Sequence, residues 1–328
     1  MTPLVSVIIP TANRPHFLPR AVASALAGMP LGAVEVIVVP NGPDKSWKQS
    51  LLPYQKHPSV RVIPISEANA NIARNTGLTN ARGEFVRFLD DDDYLIPEGA
   101  VKQYELIQLS GVDVVSGSVQ LVDVKGRVFD VGQQPDMDDL CVAVLGPWRR
   151  CQTMVHVYRR SKLGGAKWNP QTSVRQDFEW LFDLCSEAEL SWKKTNDVVG
   201  AWQHHWAQRI SSSGKFNDIR KVTVPMLLRA YNRLLAEGRL DEARKRAVLQ
   251  GIWGCVHAAF FLEPFYWTRV AQIAIKIDSR VRPIQQIYTL PVIRILNPLL
   301  VQWIMLPKRW MFHKIRQLLK VLQIRHNW

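Results

Sequence analysis

The chain has 328 residues, 47% of them hydrophobic and 21% charged, with 18 Gly, 20 Pro and 4 Cys. That composition excludes a collagen-like repeat, a long disordered tail and a disulfide-built scaffold, and the length fits one large or two modest domains with a full core. The net charge of +14 sits at one end: residues 1–213 hold 22 Lys+Arg against 22 Asp+Glu, residues 214–328 hold 20 against 6, and no acidic residue follows Asp278. Cys141, Cys151, Cys185 and Cys255 show neither CxxC spacing nor a regular framework, and Met1 leads into a strand-like run rather than a secretory leader. A reducing, cytosolic setting is expected.

In chain order, Val5-Ser6-Val7-Ile8-Ile9 is an apolar, mostly β-branched run that stops at Pro10, as expected of a parallel strand covered on both faces. Phe17, Leu18, Ala21, Val22, Ala25 and Leu26 have helical spacing. Further strands are predicted over 34–39, ending at Pro40-Asn41-Gly42, over 60–65, and over 84–89; a helix through Leu78 follows the third strand. Alternating strands and helices with short turns predict a doubly wound α/β sheet. Residues 120–150 read as loop and edge structure, 154–158 as a strand and 178–188 as a helix, with the catalytic body ending near Ser213.

In such sheets the ligand lies at the carboxyl ends of the strands, which here carry Pro10-Thr11-Ala12-Asn13-Arg14, Asn41-Gly42, Asn69 to Arg74 and Asp90-Asp91-Asp92-Asp93. A continued strand period would put Asp90 and Asp92 on one face. Four adjacent carboxylates repel one another unless a cation is near, and a hard divalent ion such as Mg²⁺ or Mn²⁺ relieves that repulsion while holding a diphosphate. The bland alternative is that the aspartates cap the helix that Pro97 begins.

Three ordered segments carry a resemblance. Val5 to Pro15, then Asn69-x-Asn71-x-Ala73-Arg74-Asn75-x-Gly77-Leu78, then Gly83-Glu84-Phe85-Val86-Arg87-Phe88-Leu89 followed by the four aspartates, resemble the family 2 glycosyltransferases over residues 4–211. The resemblance implies a GT-A fold, a nucleotide-sugar donor, a DxD metal motif binding Mn²⁺ or Mg²⁺, and transfer with inversion. It implies further that Pro10, Thr11, Asn13 and Arg14 lie in the base-binding turn. Asp90 and Asp91 would meet the nucleotide, and Asp92, with Asp90, would ligate the metal. Arg74 would face the base or diphosphate from the helix that Asn69 and Asn71 open, where the dipole also favours anions. Asn41 stands where the family usually has an aspartate, which leaves the base open between UDP and others, since an amide can accept or donate. Arg74 as a surface partner of Glu67 or Glu84 is the competing reading.

An inverting transfer needs one general base, and the resemblance places it at Asp177 in Arg175-Gln176-Asp177-Phe178-Glu179, with Gln176 replacing the usual Glu. Ser173-x-x-Gln176 also reads as a capping box, and an acidic residue in a first turn is stabilised by the dipole whatever its role. Glu179 points elsewhere on the helix. His205, with His204 as the alternative, matches the segment that closes over the diphosphate or metal, and Gln203 stands where the family often has Arg. Two loop histidines without a role are the competing reading.

Residues 214–328 form a basic, Trp-rich helical tail in this reading, while 1–118 bind the donor and 119–213 the acceptor. Neither 252–278 nor 284–307 is apolar enough to span a membrane. Met311, Ile315, Leu318, Leu319 and Leu322 fall on one helical stripe among Lys308, Arg309, Lys314, Arg316, Lys320 and Arg325, the pattern of a helix lying on an anionic membrane surface. The alternative is a helix packed on the body or on a second copy. No nucleic-acid signature is present. A glycan or lipid-linked acceptor and a peripheral place at the cytoplasmic membrane face are expected, with a non-catalytic, Ca²⁺-binding membrane or nucleic-acid protein as the rival.

Overall fold

The computed structural model of the chain describes residues 2–147, 151–204 and 216–325, with side chains through Leu319. Two compact units emerge, one of Met1–Val144 with Trp148–Ser213 and one of Leu145–Pro147 with Gly214–Trp328. The first contains β1 (Val5–Thr11), α1 (Leu18–Leu26), β2 (Val34–Pro40), α2 (Trp47–Ser50), β3 (Val60–Val62), α3 (Ala70–Asn80), β4 (Phe85–Phe88), β5 (Tyr94–Leu95), α4 (Pro97–Ser110), β6 (Val114–Val122), β7 (Val128–Gly132), most of α5 (Leu140–Leu145), β8 (His156–Arg159), α6 (Gln176–Glu187) and β9 (Trp192–Gln203).

These strands form one sheet in the order β3-β2-β1-β4-β8-β6-β9-β5, with β7 paired to β6. β1 runs parallel to both β2 and β4, with Pro10 opposite Val39 and Val5 opposite Phe85. Every residue of β1 and β2 is buried, which is why their apolar runs do not alternate. Close approach lets α3 cover β1: a methyl group on Gly77 would lie 2.3 Å from Ile8 Cγ2. α4 is seated on β9 in the same way, since a methyl on Gly99 would lie 2.0 Å from the Val198 carbonyl oxygen.

Several boundaries differ from the sequence reading. The third strand stops at Val62; beyond it, Ile63 and Ile65 still donate to the Val38 and Pro40 carbonyls at 2.9 Å, and Ile65 bridges Asn41, so the pairing thins to a bridge around Pro64. The stretch expected to be loop and edge structure contains the end of β6, the edge strand β7 and the helix α5. β7 lacks alternation because it pairs with β6 alone and leaves Val128, Phe129, Asp130 and Val131 exposed. Thr153–Val155 is a single helical turn, so β8 begins at His156. α6 begins at Gln176 after Arg175, whose φ is 59°, and no side chain caps it. The Ser173-x-x-Gln176 capping box is therefore not formed. All four cysteines are buried thiols outside any disulfide.

The second unit holds α7 (Phe216–Ala236), α8 (Glu242–Ala259), α9 (Pro264–Ile277) and α10 (Pro298–Arg325). α8 buries Val248, Ile252, Trp253 and Val256, while α9 contributes Trp267, whose Nε1 donates to Asn217 Oδ1 at 2.9 Å. Gln302 on α10 is buried between Tyr288 and His257. Among the described residues no helix is long and apolar enough to cross a membrane.

Candidate active site at the strand ends

The parallel order β3-β2-β1-β4 brings the ends of β1, β2 and β4 and the start of α3 to one edge. β4 stops at Phe88, and Asp90 to Asp93 lie in a turn closed by a hydrogen bond from Asp93 N to the Asp90 carbonyl at 3.1 Å. The strand period thus ends before the aspartates, and the ion pairs of Asp90 and Asp92 among the described residues go to different arginines. Asp91 and Asp92 instead share Arg14, whose Nη1 lies 3.3 Å from Asp91 Oδ1 and 2.8 Å from Asp92 Oδ2. Asp90 faces Arg74, at 2.8 Å. None of the four caps α4, whose N-cap is Ile96 without a side-chain hydrogen bond.

Thr11, at the end of β1, donates from Oγ1 to Asp91 Oδ2 at 2.7 Å, which ties β1 to the acidic turn. Asn13 has φ 57°, a left-handed conformation that asparagine tolerates, and its N–H donates to Asp44 Oδ2 at 3.0 Å. Asn41 donates from Nδ2 to the Thr11 carbonyl at 3.0 Å, so its amide oxygen is the group it can offer to a ligand. Pro10 is a buried ladder residue of β1. Asn69 caps α3, accepting from the N–H groups of Asn71 and Ile72 and donating to the Pro170 carbonyl at 2.9 Å.

Arg74 is nearly buried on α3 and makes a three-way junction. Its Nη1 donates to Asn71 Oδ1 at 3.0 Å and to Gln176 Oε1 at 2.9 Å, its Nη2 donates to Asp90, and its guanidinium lies 4.5 Å from the Trp168 ring. Trp168 stacks in parallel on Trp180 at 4.9 Å. The pairing of Arg74 with Glu67 or Glu84 is excluded: its carboxylate partner is Asp90, and Glu84 pairs with Arg159. Asp177, in the first turn of α6, lies within the electrostatic reach of Arg175, Asp90 and Arg74. Glu179 turns to the 169–172 loop, where Asn169 and Thr172 donate to it.

Burial sets the electrostatics, and charge crowding adds to it. Burial, reinforced by Asp92 and Asp90, pushes the Asp91 carboxyl up to about 7 against the opposing pull of Arg14 and Thr11. Burial alone would lower the Arg14 pKa, but Asp92, Asp91 and Asp90 raise it on balance. Desolvation likewise lifts Asp177 to about 6, with Asp90 adding to the effect and Arg175, the Phe178 N–H and Arg74 opposing it. The helix dipole therefore does not hold Asp177 at an ordinary carboxylate value.

The donor set suits a hard divalent ion, since Asp90, Asp91 and Asp92 offer only oxygens and crowd enough negative charge to raise Asp91. Asp90 is the most open of them, its side chain 36% exposed against 6% for Asp91 and 9% for Asp92. Among the described residues no three His, Cys, Asp or Glu side chains are grouped to enclose an ion by themselves. A metal here would be completed by substrate phosphate oxygens and water, as Mg²⁺ commonly is. His205 lies outside the described residues. His204 holds its place through its N–H to the Val122 carbonyl, with its ring between Trp202 and Phe129.

Sequence reasoning missed Arg20, Asp44 and Trp168. Arg20, on α1, donates to the Asp92 carbonyl at 3.1 Å and to Gln203 Oε1 and lies over the Tyr94 ring, so it braces the acidic turn from below. Gln203 N in turn donates to Asp93 Oδ1 at 2.9 Å. No local spacing announces these partners, because each is separated from the turn by tens of residues.

A model of glycosyl transferase family 2 matches residues 6–184. The poly(ribitol-phosphate) beta-glucosyltransferase of Bacillus spizizenii is 26% identical over 287 residues, covering 84% of this chain and 42% of that protein. The uncharacterized glycosyltransferase EpsJ of Bacillus subtilis is 33% identical over 116 residues, 35% of this chain and 33% of its own length. The chain thus spans between a third and a half of the length of these two relatives. S. aureus TarS 1-349, solved in complex with UDP-GlcNAc, superposes with a TM-score of 0.64 at 19% identity, over 83% of this chain and 81% of that one. The fold is accordingly that of a GT-A glycosyltransferase domain with a helical C-terminal part, and with more than half of its length matched by the family model, the chain belongs to glycosyl transferase family 2.

Proposed function

We propose that the chain transfers a sugar, with inversion, from a nucleoside-diphosphate donor to a hydroxyl of a glycan or lipid-linked acceptor in the assembly of a surface polysaccharide or glycolipid. The observation that carries this reading is the Arg74 junction, which links Asp90 of the acidic turn to Gln176 beside Asp177 and so brings a guanidinium and a carboxyl with pKa about 6 to one strand edge. Asp177 takes the proton from the attacking hydroxyl, for which a value near neutrality suits a general base. Arg14 and Arg74 supply positive charge beside the diphosphate, and Arg's planar fork matches its oxygens.

Mn²⁺ or Mg²⁺, held by Asp90 and Asp92, would stabilise the leaving diphosphate when bound. Thr11, Asn13, Arg14 and Asn41 shape the base pocket. The complexes with UDP-GlcNAc and UDP known for TarS support UDP as the donor nucleotide. The poly(ribitol-phosphate) beta-glucosyltransferase among the relatives supports a polymer acceptor of the surface-glycan kind. Residues 214–328 act as a basic helical tail at an anionic membrane surface, so that the protein works as a peripheral enzyme at the cytoplasmic face.

The test is an Asp177→Asn protein titrated with UDP- and GDP-sugars in Mn²⁺. Retained donor binding with lost transfer, together with an anomeric proton coupling showing inverted configuration in the wild-type product, is the expected result. No transfer or hydrolysis by the wild type from any donor would leave only a binding protein.

A further inference from the structure

The helical unit contains an open groove of about 400 Å³ whose wall carries Lys308, Arg309, His313 and Arg316 and whose apolar side is formed by Phe261, Met305 and Phe312. The residues of α10 that line it recur at helical spacing from Met305 to Arg316, so one face of the helix builds it. Arg309 is fixed in place: it donates from Nη1 to Gln302 Oε1 at 3.2 Å and from Nη2 to the His257 carbonyl. The Phe261 ring has the Arg309 guanidinium 5.1 Å from its centre and the His313 ring at 5.0 Å. Lys308 and Arg316 stand exposed at the rim.

No carboxylate lines this groove, and none follows Asp278 in the chain. Among the described residues no acidic side chain pairs with Lys308, Arg309 or Arg316, whereas Arg14, Arg74, Lys221 and Arg280 have such partners. The missing counter-charge is thus expected from a ligand. On the same helix, Ile304, Met311, Ile315 and Leu318 form an adjoining row with exposures of 59%, 51%, 43% and 62%. Leu319 and Phe312, both half exposed, fill the space between that row and the groove.

We infer that this groove is a headgroup site for an anionic phospholipid of a bilayer surface, with the phosphate among Lys308, Arg309 and Arg316 and the acyl region against the Ile304–Leu318 row. The inference rests on reading the tail as a membrane-surface segment and adds to it a defined site. A phospholipid carries its negative phosphate and its apolar chains side by side, which is the arrangement that α10 presents. A free anion or a nucleic acid would satisfy the cations but leave the apolar row in water, and aliphatic stems of Lys and Arg at such a boundary reach naturally to the phosphate level.

The experiment is vesicle flotation of the full chain on phosphatidylcholine alone and on phosphatidylcholine with phosphatidylglycerol. Each basic side chain near an anionic surface is worth about a fivefold change in partitioning, so a control Lys276→Gln/Lys314→Gln protein, with two charges removed away from the groove, sets the generic effect. The Lys308→Gln/Arg316→Gln protein is expected to lose about tenfold more than that control on the phosphatidylglycerol vesicles, beyond the generic charge effect, and Lys308→Arg/Arg316→Lys to restore binding.

Equal losses in the two double variants would overturn the groove site while leaving the membrane reading intact. No flotation of the wild type, or unchanged flotation of an Ile315→Gln/Leu318→Gln protein, would overturn the membrane reading and the site with it. Should inorganic phosphate raise the thermal midpoint in a manner lost in Lys308→Gln/Arg316→Gln while that variant floats like its control, the groove is a soluble-anion site and the lipid assignment fails. A concentration-dependent dimer that Ile315→Gln/Leu318→Gln dissociates would give the row to a second copy and likewise overturn it.

Discussion

Asp91→Asn tests the electrostatics of the acidic turn without touching the proposed base. The Asp91 carboxyl is buried, accepts from Thr11 and pairs with Arg14, yet titrates at about 7, against 3.8 for an unperturbed aspartate. That is a difference of about three pH units, and at about 1.4 kcal/mol per unit the ionised form destabilises the fold by up to about 4 kcal/mol. The sign follows from proton counting: between pH 4 and 7 the folded state binds the proton and the unfolded state does not, so stability falls as pH rises through this window and levels off above it. An asparagine stays neutral and still accepts from Thr11 through its amide oxygen, while Arg14 keeps Asp92 as its acceptor and loses only the longer, 3.3 Å bond. In metal-free protein the wild-type melting temperature should therefore drop from pH 5 to pH 8, while Asp91→Asn keeps only the shallower drop due to Asp177 and ends roughly 10 °C higher at pH 8, given about 2–4 °C per kcal/mol for a unit of this size. Mn²⁺ with UDP should recover the wild type at pH 8 by binding the ionised site. Parallel pH profiles for the two proteins would refute the account, because the burial of Asp91 would then carry no proton linkage.

Asp177→Asn should lower transfer by about 10²–10⁴-fold with donor affinity unchanged, and wild-type activity should fall on the acid side with a midpoint near 6, since the carboxyl there must be ionised to accept a proton; steady-state kinetics across pH measures both. Gly99→Ala should cost at least about 1–3 kcal/mol in a urea titration, because its methyl meets the Val198 carbonyl oxygen at 2.0 Å and backbone yields less readily than side chains. Asn69→Ala removes the α3 cap and the tie to Pro170, and should cost about 1 kcal/mol by the same titration.

The parallel half of the sheet was legible because its cause is local: fully covered strands read as unbroken β-branched runs, and Val5 to Ile9 is one. The acidic turn was legible as a cluster but not in its geometry, since the period-two argument assumes that the strand continues and β4 ends at Phe88. β7 was legible only as unspecified edge structure, without bounds, because a strand with four exposed residues in succession has no alternation to detect. The α6 start was misassigned for a different reason. A capping box requires Ser173 at the N-cap, but Arg175 takes a left-handed conformation and begins the helix two residues later, with its guanidinium 4.0 Å from the Phe178 ring centre. Arg20 and Trp168 have no local signature at all, since what makes them part of the site is a contact across 72 residues in one case and across 94 in the other.

The departure at Gln176 acquires a physical meaning from the same contacts. Its amide oxygen accepts from Arg74, while its Nε2 donates to the Thr172 carbonyl at 3.1 Å. A glutamate at this position could accept from Arg74 but could not donate to Thr172, and it would add a second carboxylate beside Asp177, whose pKa desolvation and Asp90 already lift to about 6. With glutamine, Arg74 has among the described residues one anionic partner, Asp90, rather than two, which leaves more of its positive charge for the diphosphate of the proposed donor, and Asp177 is spared a further like charge. The amide thus holds the junction by hydrogen bonding alone and leaves the proton affinity of Asp177, the proposed base, to burial, Arg175, Asp90 and Arg74.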